Sequence, residues 1–216
     1  MTQDLIILGA PGAGKGTLAV DLCPALGIKH ISTGDLLREV IASGSPLGQE
    51  IDGYVKSGAL VPDDLIGRMI KDTLAADACR QGILLDGFPR TIPQAELLEK
   101  ILADLGRPIS AVFYLSVELD RVIRRLVNRV SCQQCGRPYH LINLPPRQAG
   151  ICDVCGGVLR QREDDKEETI RKRFATFLEK TQPLIDFYQN KNLLVEVQAS
   201  DDPQVALNFV LKYLAR

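Results

Sequence analysis

Gly9-Ala10-Pro11-Gly12-Ala13-Gly14-Lys15-Gly16-Thr17 has the residue types and spacing to cradle a chain of phosphates. Its glycines let successive backbone N–H groups converge on phosphate oxygens without side-chain obstruction. A following helix would add the partial positive charge of its N-terminus, and Lys15 a full charge. The alternative, a glycine turn that binds nothing, is disfavoured by context: an apolar run, Leu5 to Leu8, precedes the loop and a helical pattern, Lys15 to Leu26, follows it. Gly16 stands where such loops commonly carry Ser or Thr, and Thr17 comes one place late. Magnesium is then expected to be held less by the loop than by water and substrate oxygens.

A second constellation is Cys132-x2-Cys135 and Cys152-x2-Cys155, with 16 residues between the pairs. Four thiolates at this spacing predict a closed tetrahedral zinc site, with iron or a redox pair as alternatives. A metal with no open position cannot activate water, so its work is to fold a segment with few apolar residues. Gly136 and Gly156-Gly157 free the backbone to turn toward the sulfurs. Cys23 and Cys79 sit singly among apolar neighbours and read as small core residues.

Arginines form the third feature. Arg121, Arg125 and Arg129 recur at i, i+4, i+8 and are expected on one face of a helix, with Val122, Leu126 and Val130 on its core face. A solvated basic face is the alternative and fits Arg121 and Arg124 better. No nucleophile stands out, and neither of the two histidines, His30 and His140, reads as a general base. Arginine-rich chemistry without either suits in-line phosphoryl transfer, which needs alignment, charge dispersal and exclusion of water.

The elements that must position these groups read as α/β: a P-loop parallel β-sheet core flanked by helices. Strands are expected at Leu5–Leu8, 82–85, 111–115 and 193–197, and helices at 94–105, 118–128 and 166–190. The run 205–214 places Ala206, Phe209, Val210 and Tyr213 on one helical face, predicted to pack on the sheet. Two segments interrupt the alternation. The expected partition is a core of 1–31, 62–127 and 166–216, a small helical insertion at 32–61, and a metal-binding lid at 128–165.

Composition bounds the rest. With 45% hydrophobic and 25% charged residues and a formal net charge of −1, there is no global basic field for nucleic acid, so an anion site must be a local cluster. No apolar stretch approaches bilayer-spanning length, and Leu5–Leu8 is too short for a signal peptide. The expectation is a cytoplasmic protein without a nucleic-acid or membrane partner.

Three further segments accompany the loop: Ile31-Ser32-Thr33-Gly34-Asp35-Leu36-Leu37-Arg38, Leu85-Asp86-Gly87-Phe88-Pro89-Arg90-Thr91, and Arg162-Glu163-Asp164-Asp165 with Arg171-Lys172-Arg173. In this order they make the chain resemble the adenylate kinases among the nucleoside monophosphate kinases, in the long bacterial form with a tetracysteine lid. The resemblance runs from the first strand to at least Tyr188. It implies reversible transfer from Mg-ATP to AMP giving two ADP, adenine nucleotide homeostasis, and a monomer with structural zinc. It further implies that Gly12, Ala13, Gly14, Lys15, Gly16, Thr17, Arg125, Arg129, Pro138 and Tyr139 hold ATP. Thr33, Arg38, Ala59, Leu60, Val61, Gly87, Arg90, Gln94, Arg162 and Arg173 would hold AMP, with Gln94 reading the adenine. Lys15, Arg38, Arg90, Arg129, Arg162 and Arg173 would serve the transfer itself. Asp86 would orient magnesium-bound water, or alternatively cap Arg90, and Asp164 and Asp165 would latch the closed lid. The stretch 198–202 departs from the family's pattern.

The nearest rival is a UMP/CMP kinase of the same fold. A nucleic-acid-binding ATPase with a zinc ribbon would require basic and aromatic residues around the cysteines; the segment offers few. A nucleotide-binding module without turnover is disfavoured because arginines for both substrates are present.

Overall fold

The computed structural model describes residues 3–198, 200 and 202–215; Met1, Thr2, Ala199, Asp201 and Arg216 lie outside the described residues. In chain order the elements are β1 (Gln3–Gly9), α1 (Lys15–Leu26), β2 (Lys29–Ser32), α2 (Thr33–Ala42), α3 (Pro46–Ser57), α4 (Asp63–Leu74), β3 (Gly82–Asp86), α5 (Ile92–Asp104) and β4 (Ile109–Ser116). There follow α6 (Leu119–Val127), β5 (Arg129–Cys132), β6 (Pro138–His140), β7 (Leu159–Arg160), α7 (Glu167–Thr176), α8 (Pro183–Asn190), β8 (Leu194–Gln198) and α9 (Pro203–Leu214).

Five strands form a parallel sheet in the order β2-β3-β1-β4-β8. The strand β1 is central and buried on both faces, as a continuous apolar run requires. Ile6 and Leu8 pack with Ile83, Leu85, Leu98 and Tyr188 on one side. Leu5 and Ile7 pack with Leu18, Leu22, Phe113 and Val210 on the other. Cys23 and Cys79 lie within these two layers, as expected of small core residues. Because β3 and β4 flank β1 on opposite sides, a crevice opens at the carboxyl end of β1, the usual ligand position in such sheets.

The 128–165 stretch carries a separate three-stranded antiparallel sheet, β6-β5-β7. These short strands, and the edge strand β2, carry too few alternating residues to be legible from periodicity. Four expectations are corrected. The 166–190 stretch is not one helix: Pro183 lacks the N–H for the helical ladder, and a wide turn at 177–181, closed by Gln182 N–H donating to Phe177 O at 2.9 Å, separates α7 from α8. Arg129 does not share the helix of Arg121 and Arg125, since α6 ends at Val127 and Arg129 opens β5. Val130 accordingly packs against the cysteine cluster rather than on a helical core face. On α9 only Ala206 and Val210 are buried, whereas Phe209 is 46% exposed and Tyr213 37% exposed, meeting Phe113 by its ring edge. The helix covers the sheet with Ala206 and Val210, flanked by the partly buried Leu207, Leu211 and Leu214, so its packed face is rotated away from Phe209.

Candidate active site

The loop after β1 takes its shape from glycines that no other residue could replace cheaply. Gly9 (φ 152°), Gly12 (φ 76°) and Gly14 (φ 100°) have left-handed backbones. A Cβ on Gly9 would lie 2.7 Å from Leu115 O, and one on Gly12 2.9 Å from Leu126 Cγ. Gly14 caps α1 without a side-chain acceptor, so the first N–H groups of that helix face the loop. Lys15 Nζ folds over the loop and donates to Gly9 O (2.9 Å) and Ala10 O (3.0 Å).

Around this loop lies one cleft of about 1390 Å³. Gly12, Ala13, Gly14, Lys15, Gly16, Thr17, Arg38, Leu60, Asp86, Gly87, Arg90, Arg125, Arg129, Pro138, Tyr139, Arg162 and Arg173 line it. They come from the loop, α2, the stretch after α3, the β3 terminus, α6, β5, β6, the stretch after β7 and α7, and only the fold brings them together. Thr33, Val61 and Gln94 are buried behind that wall, and Ala59 is exposed. Tyr139 turns its hydroxyl away from the cleft: it lies 3.5 Å from Cys152 Sγ and accepts from Asp153 N–H at 2.8 Å.

The arginines are held by a defined set of acceptors. Arg129 clamps the buried Asp165 carboxylate with Nε at 2.8 Å and a terminal nitrogen at 2.6 Å. Arg173 donates to Asp164 Oδ2 at 2.6 Å and lies 3.6 Å from Asp165. Arg162 Nε donates to Ser131 Oγ (3.0 Å), Arg90 Nε to Gly87 O (2.7 Å), and Arg38 pairs with Asp35. Arg125 donates to Ser200 O at 2.7 Å, tying α6 to the segment after β8.

Burial, reinforced by the crowding of cations, lowers the proton affinities of four of these groups. Burial pushes the Lys15 ammonium down to about 8; Asp86 opposes this, while Arg90, Arg173 and Arg129 add to it. Burial, reinforced by Arg173, brings Arg90 down to about 10. Burial, with Arg129 and Arg38 next, does the same to Arg162. Arg173 is lowered too, by burial first, with Asp164 opposing and Arg129 adding. Such mutual repulsion is offset by a polyanion bound between the cations, as for polyphosphate.

Asp86 ends β3 beside the loop. Its Oδ2 lies 3.7 Å from His30 Nε2, and a Cβ on Gly16 would meet it at 3.6 Å. Burial works to raise this carboxyl, but His30, Lys15 and Arg90 together hold it below the usual range. Arg90 Nε donates to Gly87 O, and no ion pair joins Arg90 to Asp86 among the described residues.

In the 128–165 stretch the four sulfurs of Cys132, Cys135, Cys152 and Cys155 lie within 4.8 Å of one another. Cys132–Cys155 are separated by 3.4 Å and Cys135–Cys152 by 3.6 Å. A tetrahedral zinc with bonds of about 2.3 Å sets its sulfurs about 3.8 Å apart, and a disulfide about 2 Å, so the cluster fits a metal and not a pair of disulfides. The N–H groups of Gln134 and Cys135 point at Cys132 Sγ, from 3.4 and 3.5 Å. Gly157 is required, since a Cβ there would lie 2.8 Å from Cys132 Sγ.

Fold and cleft together define the class: a P-loop protein built to align phosphorylated ligands between two cationic walls. Comparison with known proteins places it within that class. The family model "Adenylate kinase" matches residues 7–193. An adenylate kinase of Thermosipho africanus is 47% identical over 99% of this chain and 100% of its own. One of Caldicellulosiruptor saccharolyticus is 50% identical over 97% and 98%, and one of Archaeoglobus fulgidus 46% identical over 93% and 92%. The chain belongs to the adenylate kinase family.

Two residues of the site carry no sequence signal. Asp63 receives the side chains of Thr91 and Gln94, although Pro62-Asp63-Asp64 reads only as a helix start. His30, expected to be structural or to flank substrate, is found against Asp86. Neither contact follows from spacing, because each joins residues more than two dozen positions apart.

Proposed function

We propose that this chain transfers the terminal phosphoryl group of magnesium-bound ATP to AMP, reversibly, giving two ADP. One observation carries the reading: Lys15, Arg38, Arg90, Arg129, Arg162 and Arg173, from separate elements, converge on one cleft.

The loop N–H groups of 12–17 and Lys15 hold the donor phosphates, while Arg125, Pro138 and Tyr139 lie along the donor nucleoside. Arg38 and Arg90 grip the acceptor monophosphate with planar forks suited to paired oxygens. Thr33, Ala59, Leu60, Val61 and Gly87 border the acceptor nucleoside, and Gln94 meets its base. Arg129, Arg162 and Arg173 disperse charge on the group in flight. Little covalent help is needed, so positioning and water exclusion account for the rate. Magnesium, when bound with ATP, neutralises phosphate charge, and Asp86 would reach it through water. Cys132, Cys135, Cys152 and Cys155 would hold a structural zinc that orders the lid and takes no part in the transfer.

The partition into a core (1–31, 62–127, 166–216), an acceptor insertion (32–61) and a lid (128–165) follows from these roles. Among the described residues no helix is long and apolar enough to cross a membrane. A monomer acting on free nucleotides in the cytoplasm, without nucleic acid, fits the near-neutral charge. The test is phosphate acceptance from Mg-ATP by AMP, UMP and CMP. A strong preference for AMP is expected, and a preference for a pyrimidine nucleotide overturns the assignment.

A further inference from the structure

The side-chain amide of Gln94 is held at both ends. Its Oε1 accepts from the backbone N–H of Arg90 at 2.7 Å, and its Nε2 donates to Asp63 Oδ1 at 2.6 Å. The other Asp63 oxygen accepts from Thr91 Oγ1 at 3.1 Å, which fixes the carboxylate in turn. Gln94 is buried, with 3% exposure, so water does not compete for these contacts.

These two partners determine which way the amide faces. A backbone N–H can only donate and an ionised carboxylate can only accept. Rotating the amide by half a turn would set its NH2 against the Arg90 N–H and its oxygen against the Asp63 carboxylate. Both bonds would be lost, and each buried group would face its like. In the observed orientation one oxygen lone pair and one N–H remain. A 6-aminopurine edge donates from its amino group and accepts at N1, matching that remaining pair. A 6-oxopurine edge presents the reverse, an acceptor at O6 and a donor at N1, and calls for the flipped amide.

We infer that Asp63 is a specificity-determining residue acting through Gln94: it locks the amide orientation that accepts a 6-aminopurine monophosphate and rejects a 6-oxopurine one. Asp63 is a positioning residue and does not itself touch the base. It also begins α4, directly after the 32–61 insertion, so the lock sits where that insertion rejoins the core. The inference rests on the reading of Gln94 as the residue that meets the acceptor base.

The experiment compares kcat/KM for AMP and for inosine monophosphate, with Mg-ATP as donor, in the full chain and in Asp63→Asn. Asparagine keeps the size of Asp63 and can face either amide orientation. The AMP-over-IMP ratio should fall by about tenfold, the worth of one hydrogen bond to a charged group. KM for AMP should rise while kcat and KM for ATP stay near their starting values. An unchanged ratio, or an equal loss toward both acceptors, overturns the inference. Gln94→Ala separates the two levels. If it raises KM for AMP while Asp63→Asn leaves the ratio alone, Asp63 has no such role and the reading of Gln94 stands. If Gln94→Ala leaves KM for AMP unchanged, both fail. Should Asp63→Asn not fold, side-chain amide exchange decides the matter in the unsubstituted protein. The Gln94 Nε2 protons should exchange at least about tenfold more slowly than those of an exposed glutamine, and equal rates overturn the lock.

Discussion

Arg129 and Asp165 meet side by side, two parallel hydrogen bonds joining the guanidinium that opens β5 to a carboxylate lying just before α7. Asp165 has no exposed side-chain surface, and Arg173 approaches the same oxygen from α7. The carboxylate thus sets two of the arginines proposed to disperse charge during transfer. Asp165→Ala leaves Arg129 without its partner in a confined space and should destabilise the fold by about 3 kcal/mol. Thermal or urea unfolding measures this; a loss below about 1 kcal/mol would mean that Arg129 finds another acceptor.

Arg90 is expected to matter to chemistry and little to folding. Its side chain anchors on a backbone carbonyl and faces the cleft, so Arg90→Ala removes a phosphate contact without opening the core. The loss should be about 3 kcal/mol in transition-state stabilisation, about a hundredfold in kcat, by comparison with removal of one preorganised donor. Steady-state rates and a melting curve on the same sample check both halves.

Lys15 supplies a pH dependence of known sign. Its folded-state value, about 8, lies below the ordinary lysine value of 10.5, so it loses its charge in the free protein as pH rises through about 8. ATP binding should weaken there, and kcat/KM for ATP should show a falling limb near pH 8. Bound phosphate favours the ammonium, so kcat itself should hold to higher pH. Stability moves oppositely: between about 8 and 10.5 the unfolded chain binds more protons, so this group favours the native state increasingly as pH rises. A kcat/KM profile flat to pH 10 would contradict the placement of Lys15.

Removing the zinc proposed for the four cysteines should loosen the 128–165 segment more than it alters chemistry. The cluster of Cys132, Tyr139, Cys152 and Leu159 is small, and the sulfurs are its centre. Chelation is expected to lower Tm and to release close to one zinc per chain, measured by calorimetry and metal analysis. An unchanged Tm would count against a structural metal. Gly157→Ala should act like chelation, because its Cβ would meet Cys132 Sγ and Gln134 Cβ at 2.8 and 2.9 Å.

Gly53 is the contrasting glycine. It lies inside α3, its φ is not positive, and a Cβ there meets nothing within 4 Å. Gly53→Ala should stabilise the protein by about 0.5–1 kcal/mol, chiefly by restricting the unfolded chain. A denaturation midpoint that does not rise would point to a need for local flexibility in this helix.

The sequence by itself determined what is local: the phosphate loop, the buried strand before it and helix after it, the cysteine spacing, and the family motifs. Each is written in consecutive residues or a fixed helical or turn period, so chain geometry alone sets its shape. Other features depend on chain segments far apart in sequence. The pairing of Arg129 with Asp165, of His30 with Asp86, and of Gln94 with Asp63 links residues 36, 56 and 31 positions apart. No periodicity records such contacts, and a buried ion or amide finds its partner only when packing excludes water and brings an acceptor within reach. Pro183 and the wide turn before it interrupt the 166–190 helix locally, whereas packing decided that Phe209 is exposed on α9. The phosphate-binding chemistry could thus be read along the chain, whereas the orientation of the groups that choose among substrates was decided by the tertiary structure.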